Sequence, residues 1–329
     1  MTGLRRRASA SCQRRVATVL DRPWKVRVQS TLVTTLVCAS LAVSCSSEPT
    51  TIAAPPPSGA PAVIASSPTG SIARTPYPTQ GAPLMWITPS PPVTCTEDSA
   101  GGSLGYQSSA RSYFGYLFRP AGSGPFPAML VLHSAGGLSD HERAYGRWLA
   151  DQGYVAFVTD YFAPVDVTPR TFDATFPFDV VREDLARAVD CVRSLAYVDN
   201  SRVGAVGFSL GGYFALTLGT REDVHAVIGY YAGTGLVYDP IADRNPMMTS
   251  LATQMSAPVL LLHGDADIGF TVIGALQDSL MRAGKRSQLV PYPGVGHAFD
   301  FVTNSVSYDA RATADAQARS LAFLQATLR

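Results

Sequence analysis

The sequence predicts an α/β domain, a doubly wound and mostly parallel sheet with helices on both faces. Six short apolar runs, rich in β-branched and aromatic residues, recur between residues 128 and 292. Runs of this kind suit parallel strands that are covered on both sides. Stretches with apolar residues at helical spacing lie between them, and the alternation of the two types builds a parallel sheet. With 46% hydrophobic and 16% charged residues in 329, the chain is too apolar for a disordered polymer.

From the N-terminus, residues 1–44 read as an export signal. Arg5, Arg6, Arg7, Arg14, Arg15, Arg22, Lys25 and Arg27 precede an uncharged stretch at 30–44, the order of a secretory signal peptide. The stretch is short for a membrane span of about 20 residues. Its end, Leu41-Ala42-Val43-Ser44-Cys45, resembles a bacterial lipobox, which implies a mature chain beginning at a lipid-modified Cys45. Acyl chains there would hold the protein on a membrane without a transmembrane helix. A plain secretory signal cut nearby is the competing reading. Eight of the 26 bases and one of the 25 acids fall in this segment. What remains is net acidic, which argues against nucleic-acid binding.

Residues 45–93 predict a tether. The part after Cys45 holds 12 of the 24 prolines and two charges, Glu48 and Arg74, in a Ser/Thr/Ala background, a composition that cannot build a core. Leu84, Met85 and Trp86 are less tether-like and suit docking on the domain.

Residues 94–329 read as one domain without internal repeats. The predicted strands are 128–132, 155–159, 203–207, 226–231, 258–262 and 288–292; the predicted helices are 142–152, 180–195, 210–218, 273–282 and 310–328. In the second helix Leu185, Ala188, Val189, Val192 and Leu195 make one apolar stripe, with Arg182, Glu183, Arg187 and Arg193 expected outside.

Gly207-Phe208-Ser209-Leu210-Gly211-Gly212 follows one strand and opens a helix. This is G-x-S-x-G in the strand-turn-helix setting of a nucleophile elbow. The glycines let a strained turn lift the Ser209 hydroxyl to the helix N-terminus. A serine nucleophile needs a base and an orienting acid. His297, in Gly294-Val295-Gly296-His297-Ala298-Phe299, is the predicted base because it follows the last strand. His263 is the rival, while His133, His141 and His225 suit structural or surface roles. The acid should lie between serine and histidine along the chain. Asp267, in His263-Gly264-Asp265-Ala266-Asp267, is chosen over Asp265, which would otherwise stabilise the turn. The backbone N–H groups of Leu210 and of Ala135, in Leu132-His133-Ser134-Ala135-Gly136-Gly137-Leu138, form the predicted oxyanion pair. Gly136 and Gly137 could equally be simple turn glycines. No HExxH, paired CxxC or Walker loop occurs, so neither a metal nor a nucleotide cofactor is indicated.

Two long segments are the expected pocket walls. Residues 161–179 bring Phe162, Phe172, Phe176, Phe178 and Arg170, and residues 233–256 bring Tyr238, Met247 and Met248; a packed surface loop is the alternative for each. Cys95 and Cys191 are left after Cys45. An exported compartment permits a bridge, but the place of Cys191 beside an apolar helix stripe suits a buried thiol.

Residues 116–120 and 124–128, His133 through Leu138, residues 149–154, the elbow, residues 229–233 and Gly296-His297-Ala298-Phe299 resemble the dienelactone hydrolase family of α/β-hydrolases. The likeness runs in order through nearly the whole domain. It implies the α/β-hydrolase fold and cofactor-free hydrolysis of an ester or lactone through an acyl-enzyme. Typical members carry a cysteine nucleophile and an acidic residue after the first core strand, where this chain has Ser209 and Ser134. Where they place a carboxylate-binding arginine, this chain has Asp300 and Phe301. The departures point away from anionic lactones and toward a neutral ester, with Ser134 and Phe301 beside the substrate. A prolyl-oligopeptidase-like serine peptidase and a non-catalytic surface binding protein are the two alternatives.

Overall fold

The computed structural model describes residues 86, 93–99, 101–167, 176–233, 251–304 and 306–328. All belong to the compact unit Ile72–Arg329. Cys45, Phe172, Arg170, Tyr238, Met247 and Met248 lie outside the described residues.

The described elements run β1 (Cys95–Glu97), β2 (Ser103–Ser108), β3 (Arg111–Phe118), β4 (Phe126–Leu132), α1 (Asp140–Asp151), β5 (Val155–Thr159), α2 (Phe178–Ser194), β6 (Val198–Phe208), α3 (Leu210–Leu218), β7 (Val227–Tyr230), β8 (Val259–Gly264), α4 (Phe270–Arg282), β9 (Ser287–Tyr292) and α5 (Ala310–Thr327). They form a nine-stranded sheet in the order β1-β2-β3-β5-β4-β6-β7-β8-β9. From β5 to β9 neighbours are parallel, while β1, β2 and β3 pair antiparallel and join the sheet through β5. All six predicted strands and five predicted helices are present, displaced by a few residues at some ends.

Each central strand feeds both faces because successive side chains point to opposite sides. In β4, Leu130 and Leu132 pack with α2, α3 and α4, whereas Met129 and Val131 pack with α1 and α5. All four are fully buried, and each such side chain contributes about 1.5–3 kcal/mol. Helix α1 starts at a capping box: Ser139 Oγ accepts from the His141 N–H, and Glu142 reaches back to the Ser139 N–H at 3.0 Å. This satisfies orphan donors of the first turn.

Two features depart from expectation. Strands β1 to β3 carry no predicted counterpart. Phe114 and Tyr116 of β3 are exposed while Tyr113 and Leu117 are buried, so apolar residues on both faces hide the alternation. Arg187, expected outside, is buried on α2 with its guanidinium 3.2 Å from Asp190. Of the two readings of Cys191, the bridge holds: Cys95 and Cys191 are bonded and tie β1 to α2. Trp86 lies against the domain, its indole N–H donating to Thr220 Oγ1 at 3.1 Å and its ring 5.3 and 5.5 Å from the Arg182 and Arg221 guanidiniums.

Candidate active site

Ser209 follows β6 and caps α3 at φ 53° and ψ −113°, a conformation that costs a non-glycine residue about 1–3 kcal/mol. Surrounding bonds hold it there. Its N–H donates to the Tyr230 carbonyl at 3.0 Å, and its own carbonyl accepts from Gly233 at 2.7 Å. The flanking glycines are required by contact: a Cβ at Gly207 would overlap the Gly211 carbonyl, and one at Gly211 would overlap the Leu132 carbonyl.

Two loops at the carboxyl ends of β8 and β9 meet this serine. His297 Nε2 lies 2.9 Å from Ser209 Oγ, and His297 Nδ1 lies 2.5 Å from Asp267 Oδ2. Ser209 and Asp267 are buried, whereas the His297 side chain is 45% exposed. Burial by itself would raise the Asp267 pKa; His263 and His297 on its oxygens and the Gly269 N–H, which donates to Oδ1 at 2.9 Å, hold it well below the usual carboxylate range. Asp265 faces elsewhere: its Oδ1 accepts the Gly294 N–H at 2.6 Å and fastens the start of the His297 loop. His263 is buried, with Nε2 3.0 Å from Asp267 Oδ2. It sits behind the carboxylate, on the acid and away from the serine's hydrogen bond.

A cavity of about 1030 Å³ opens beside this trio, lined among others by Ser134, Ala135, Ser209, Tyr231, His297 and Phe301. Leu210 is the first residue of α3, so its N–H has no partner one turn back. Ala135 stands on the loop between β4 and α1. That loop is anchored by His133, which is fully buried, stacked on Tyr161 at 3.8 Å, with Nδ1 2.8 Å from the Ser134 carbonyl. Phe162 and Phe176 do not line the cavity. They pack in the core with Tyr161, Phe178 and Phe214.

Asp300, which the resemblance puts beside the substrate, lines the same cavity, and so does His141, which sequence reasoning had set aside. His141 Nε2 is 3.1 Å from Asp300 Oδ2, its Nδ1 3.6 Å from Glu142 Oε1, and its ring stacks on Phe301 at 3.9 Å. Burial would lower the His141 pKa, but the two carboxylates prevail and raise it to about 9. Asp300 Oδ1 also accepts the Tyr231 hydroxyl at 2.7 Å. Only the place of Asp300, three residues after His297, was visible in sequence; its partners come from α1 and β7. No cluster of His, Cys, Asp and Glu able to hold a metal occurs among the described residues.

The mostly parallel sheet with its serine turn after β6 defines the α/β-hydrolase class. Within it, the chain belongs to the dienelactone hydrolase family, whose model matches residues 114–328, and it is a hydrolase of the ester- and lactone-cleaving kind. A Methylorubrum extorquens protein assigned as a carboxymethylenebutenolidase is 32% identical over 196 residues, 56% of this chain and 67% of that protein. Among solved structures, one from Klebsiella pneumoniae assigned as a dienelactone hydrolase aligns at 22% identity with a TM-score of 0.57, covering 71% of this chain and 98% of the other. A dienelactone hydrolase-like promiscuous phosphotriesterase from metagenomic libraries aligns at 23% identity and 0.57, covering 73% and 100%. Both structural matches speak for the fold.

Proposed function

We propose that the protein is a serine carboxylesterase that cleaves a small neutral ester or lactone through an acyl-enzyme. The observation that carries the reading is the unbroken chain Asp267 Oδ2, His297, Ser209 Oγ, with links of 2.5 and 2.9 Å. His297 Nε2 takes the Ser209 proton as the oxygen attacks the acyl carbon, and ionised Asp267 holds the other ring nitrogen and stabilises the imidazolium. The carbonyl oxygen becomes an oxyanion, for which the N–H groups of Leu210 and Ala135 are the proposed donors. The tetrahedral intermediate collapses, His297 gives its proton to the departing alkoxide, and water activated by the same imidazole releases the acid. No metal or cofactor is called for by these steps.

The cavity wall supports a neutral substrate. None of its described lining residues is Lys or Arg, and the one cation, His141, is held between two carboxylates. A free carboxylate on the substrate would find no unmatched positive charge there. Ser134 and Phe301 on the wall offer a hydroxyl and an apolar face.

The proposal extends to location. Residues 1–44 act as a lipoprotein-type signal, Cys45 carries the lipid, 45–93 form a tether, and 94–329 form the catalytic domain, exported and anchored on the cell surface or in the periplasm. The Cys95–Cys191 bond supports an oxidising compartment. Among the described residues no helix is long and apolar enough to cross a membrane. Incorporation of labelled palmitate that disappears in Cys45→Ala tests this part.

Hydrolysis of p-nitrophenyl acetate, butyrate and octanoate, a hemisuccinate ester and a peptide anilide by the purified protein tests the chemistry. Neutral esters turn over, the anionic ester and the anilide do not, and Ser209→Ala or His297→Ala lowers kcat at least about a thousandfold. Ester turnover unchanged in either variant removes the triad reading, and anilide cleavage moves the protein to the peptidases.

A further inference from the structure

The loop that carries His297 has to travel. It leaves β9 at the sheet edge, three strands from β6, and neighbouring strands are about 4.8 Å apart, so His297 must reach back roughly 14 Å across β8 and β7 to meet Ser209. The Asp267 hydrogen bond fixes one ring nitrogen but leaves the ring free to swing about that bond. Something must stop the swing and hold the loop at that distance.

The residue placed to do so is Tyr231. It follows β7 directly, at a positive φ of 34°, and its N–H donates to the Leu262 carbonyl at 2.7 Å. Its neighbour Tyr230 accepts the Ser209 N–H, so Tyr231 is rigidly referenced to the nucleophile turn. Its fully buried ring meets the His297 imidazole edge to face at 4.9 Å. Its hydroxyl donates to Asp300 Oδ1 at 2.7 Å, and Asp300 stands on the His297 loop, its other oxygen 3.1 Å from His141 at the start of α1. Phe299, fully buried between these residues, packs on Tyr230, Tyr231 and Tyr292.

We infer that the Tyr231–Asp300 hydrogen bond is a positioning device: it staples the loop of the base to the strand end beside the nucleophile, and the Tyr231 ring keeps His297 aimed at Ser209. The inference rests on the catalytic reading of Ser209 and His297 given above. Tyr231 is a positioning residue, since its hydroxyl is spent on Asp300. Burial and the Asp300 charge both raise the phenol pKa far above neutrality, so the proton stays on Tyr231 and the staple persists through the working pH range. Misplacing a catalytic group by about 1 Å can cost on the order of a hundredfold in rate, so loss of one hydroxyl should register in turnover.

The test uses the full-length protein with p-nitrophenyl butyrate and a fluorophosphonate that labels the active serine and counts competent sites. Tyr231→Phe lowers kcat per labelled site about tenfold, slows labelling by the same factor and leaves KM within twofold. Asp300→Ala gives a similar loss, and in that background Tyr231→Phe costs nothing further. A residue that merely stabilised the fold would lower Tm and the number of competent sites while kcat per site stayed at the wild-type value. That result, or losses that multiply in the double variant, overturns the inference. Should Tyr231→Phe fail to fold, wild-type kcat in Asp300→Ala does the same. Wild-type protein that takes no label on Ser209 defeats the triad reading first and this inference with it, which separates the two failures.

Discussion

Asp267 Oδ2 is shared by two histidines: His297 Nδ1 at 2.5 Å on the side of the serine, and buried His263 Nε2 at 3.0 Å behind it. The carboxylate is therefore held from both sides, and its depressed pKa is the work of both rings against the pull of burial.

Replacing His263 by Leu removes one of the two imidazoles that hold the Asp267 carboxylate ionised and leaves its bonds to His297 and Gly269 in place. Because the folded pKa of Asp267 lies below its unfolded value, its contribution is complete above about pH 4 and is lost as the pH falls. The variant, with the Asp267 pKa moved back up, loses less stability between pH 5 and 3 than the wild type. Urea unfolding at pH 7, 5 and 3.5 measures this, and equal losses in the two proteins would contradict it.

His141 predicts the opposite limb. Its pKa is raised to about 9 against an ordinary value near 6.5. Its stabilisation is thus complete below about pH 6.5 and is lost as the pH climbs through 9, amounting to on the order of 2–3 kcal/mol. Thermal melts at pH 6, 8 and 10 should show a fall in the wild type that is absent from His141→Gln. Parallel curves would mean that Asp300 and Glu142 do not keep the ring charged.

The Cys95–Cys191 bond closes a loop of 96 residues. Its removal by reduction or by Cys191→Ala should cost about 2–5 kcal/mol, seen as a lower urea midpoint in the presence of dithiothreitol. The bond lies between β1 and α2, on elements that carry none of the proposed triad, so kcat measured well below the new midpoint should stay within twofold of the oxidised enzyme.

Trp86 is expected to contribute through its hydrogen bond to Thr220 and the guanidiniums of Arg182 and Arg221. Trp86→Ala should lower stability by about 1–2 kcal/mol and quench no activity. Differential scanning fluorimetry beside an esterase assay reads both; an unchanged Tm would show that the contact carries no weight.

The sheet from β4 to β9 was legible because each of its strands carries a short, near-continuous apolar run, and α2 because its apolar stripe repeats at helical spacing. Strand β3 was not, since Phe114 and Tyr116 put large apolar groups on the exposed face. Ser209 could be picked out because a strained turn demands glycine at 207 and 211, a local requirement written in adjacent letters. His297 and Asp267 could be picked out because each follows a recognisable strand. Phe162 and Phe176 misled for a related reason: an aromatic cluster after a strand reads the same whether its chain turns toward the serine or, as here, onto Phe214 of α3.

By itself, then, the sequence determined what depends on neighbours along the chain: the strands and helices from β4 onward, the glycine-flanked turn at Ser209, and the loops that carry Asp267 and His297. The tertiary structure alone decided what depends on groups brought together from distant segments. It joined Cys95 to Cys191, set His263 behind Asp267, and built a cavity wall in which His141 from α1, Asp300 from the last loop and Tyr231 from the end of β7 meet. Such contacts are set by where the sheet places the loops in space, and spacing along the chain carries no record of them.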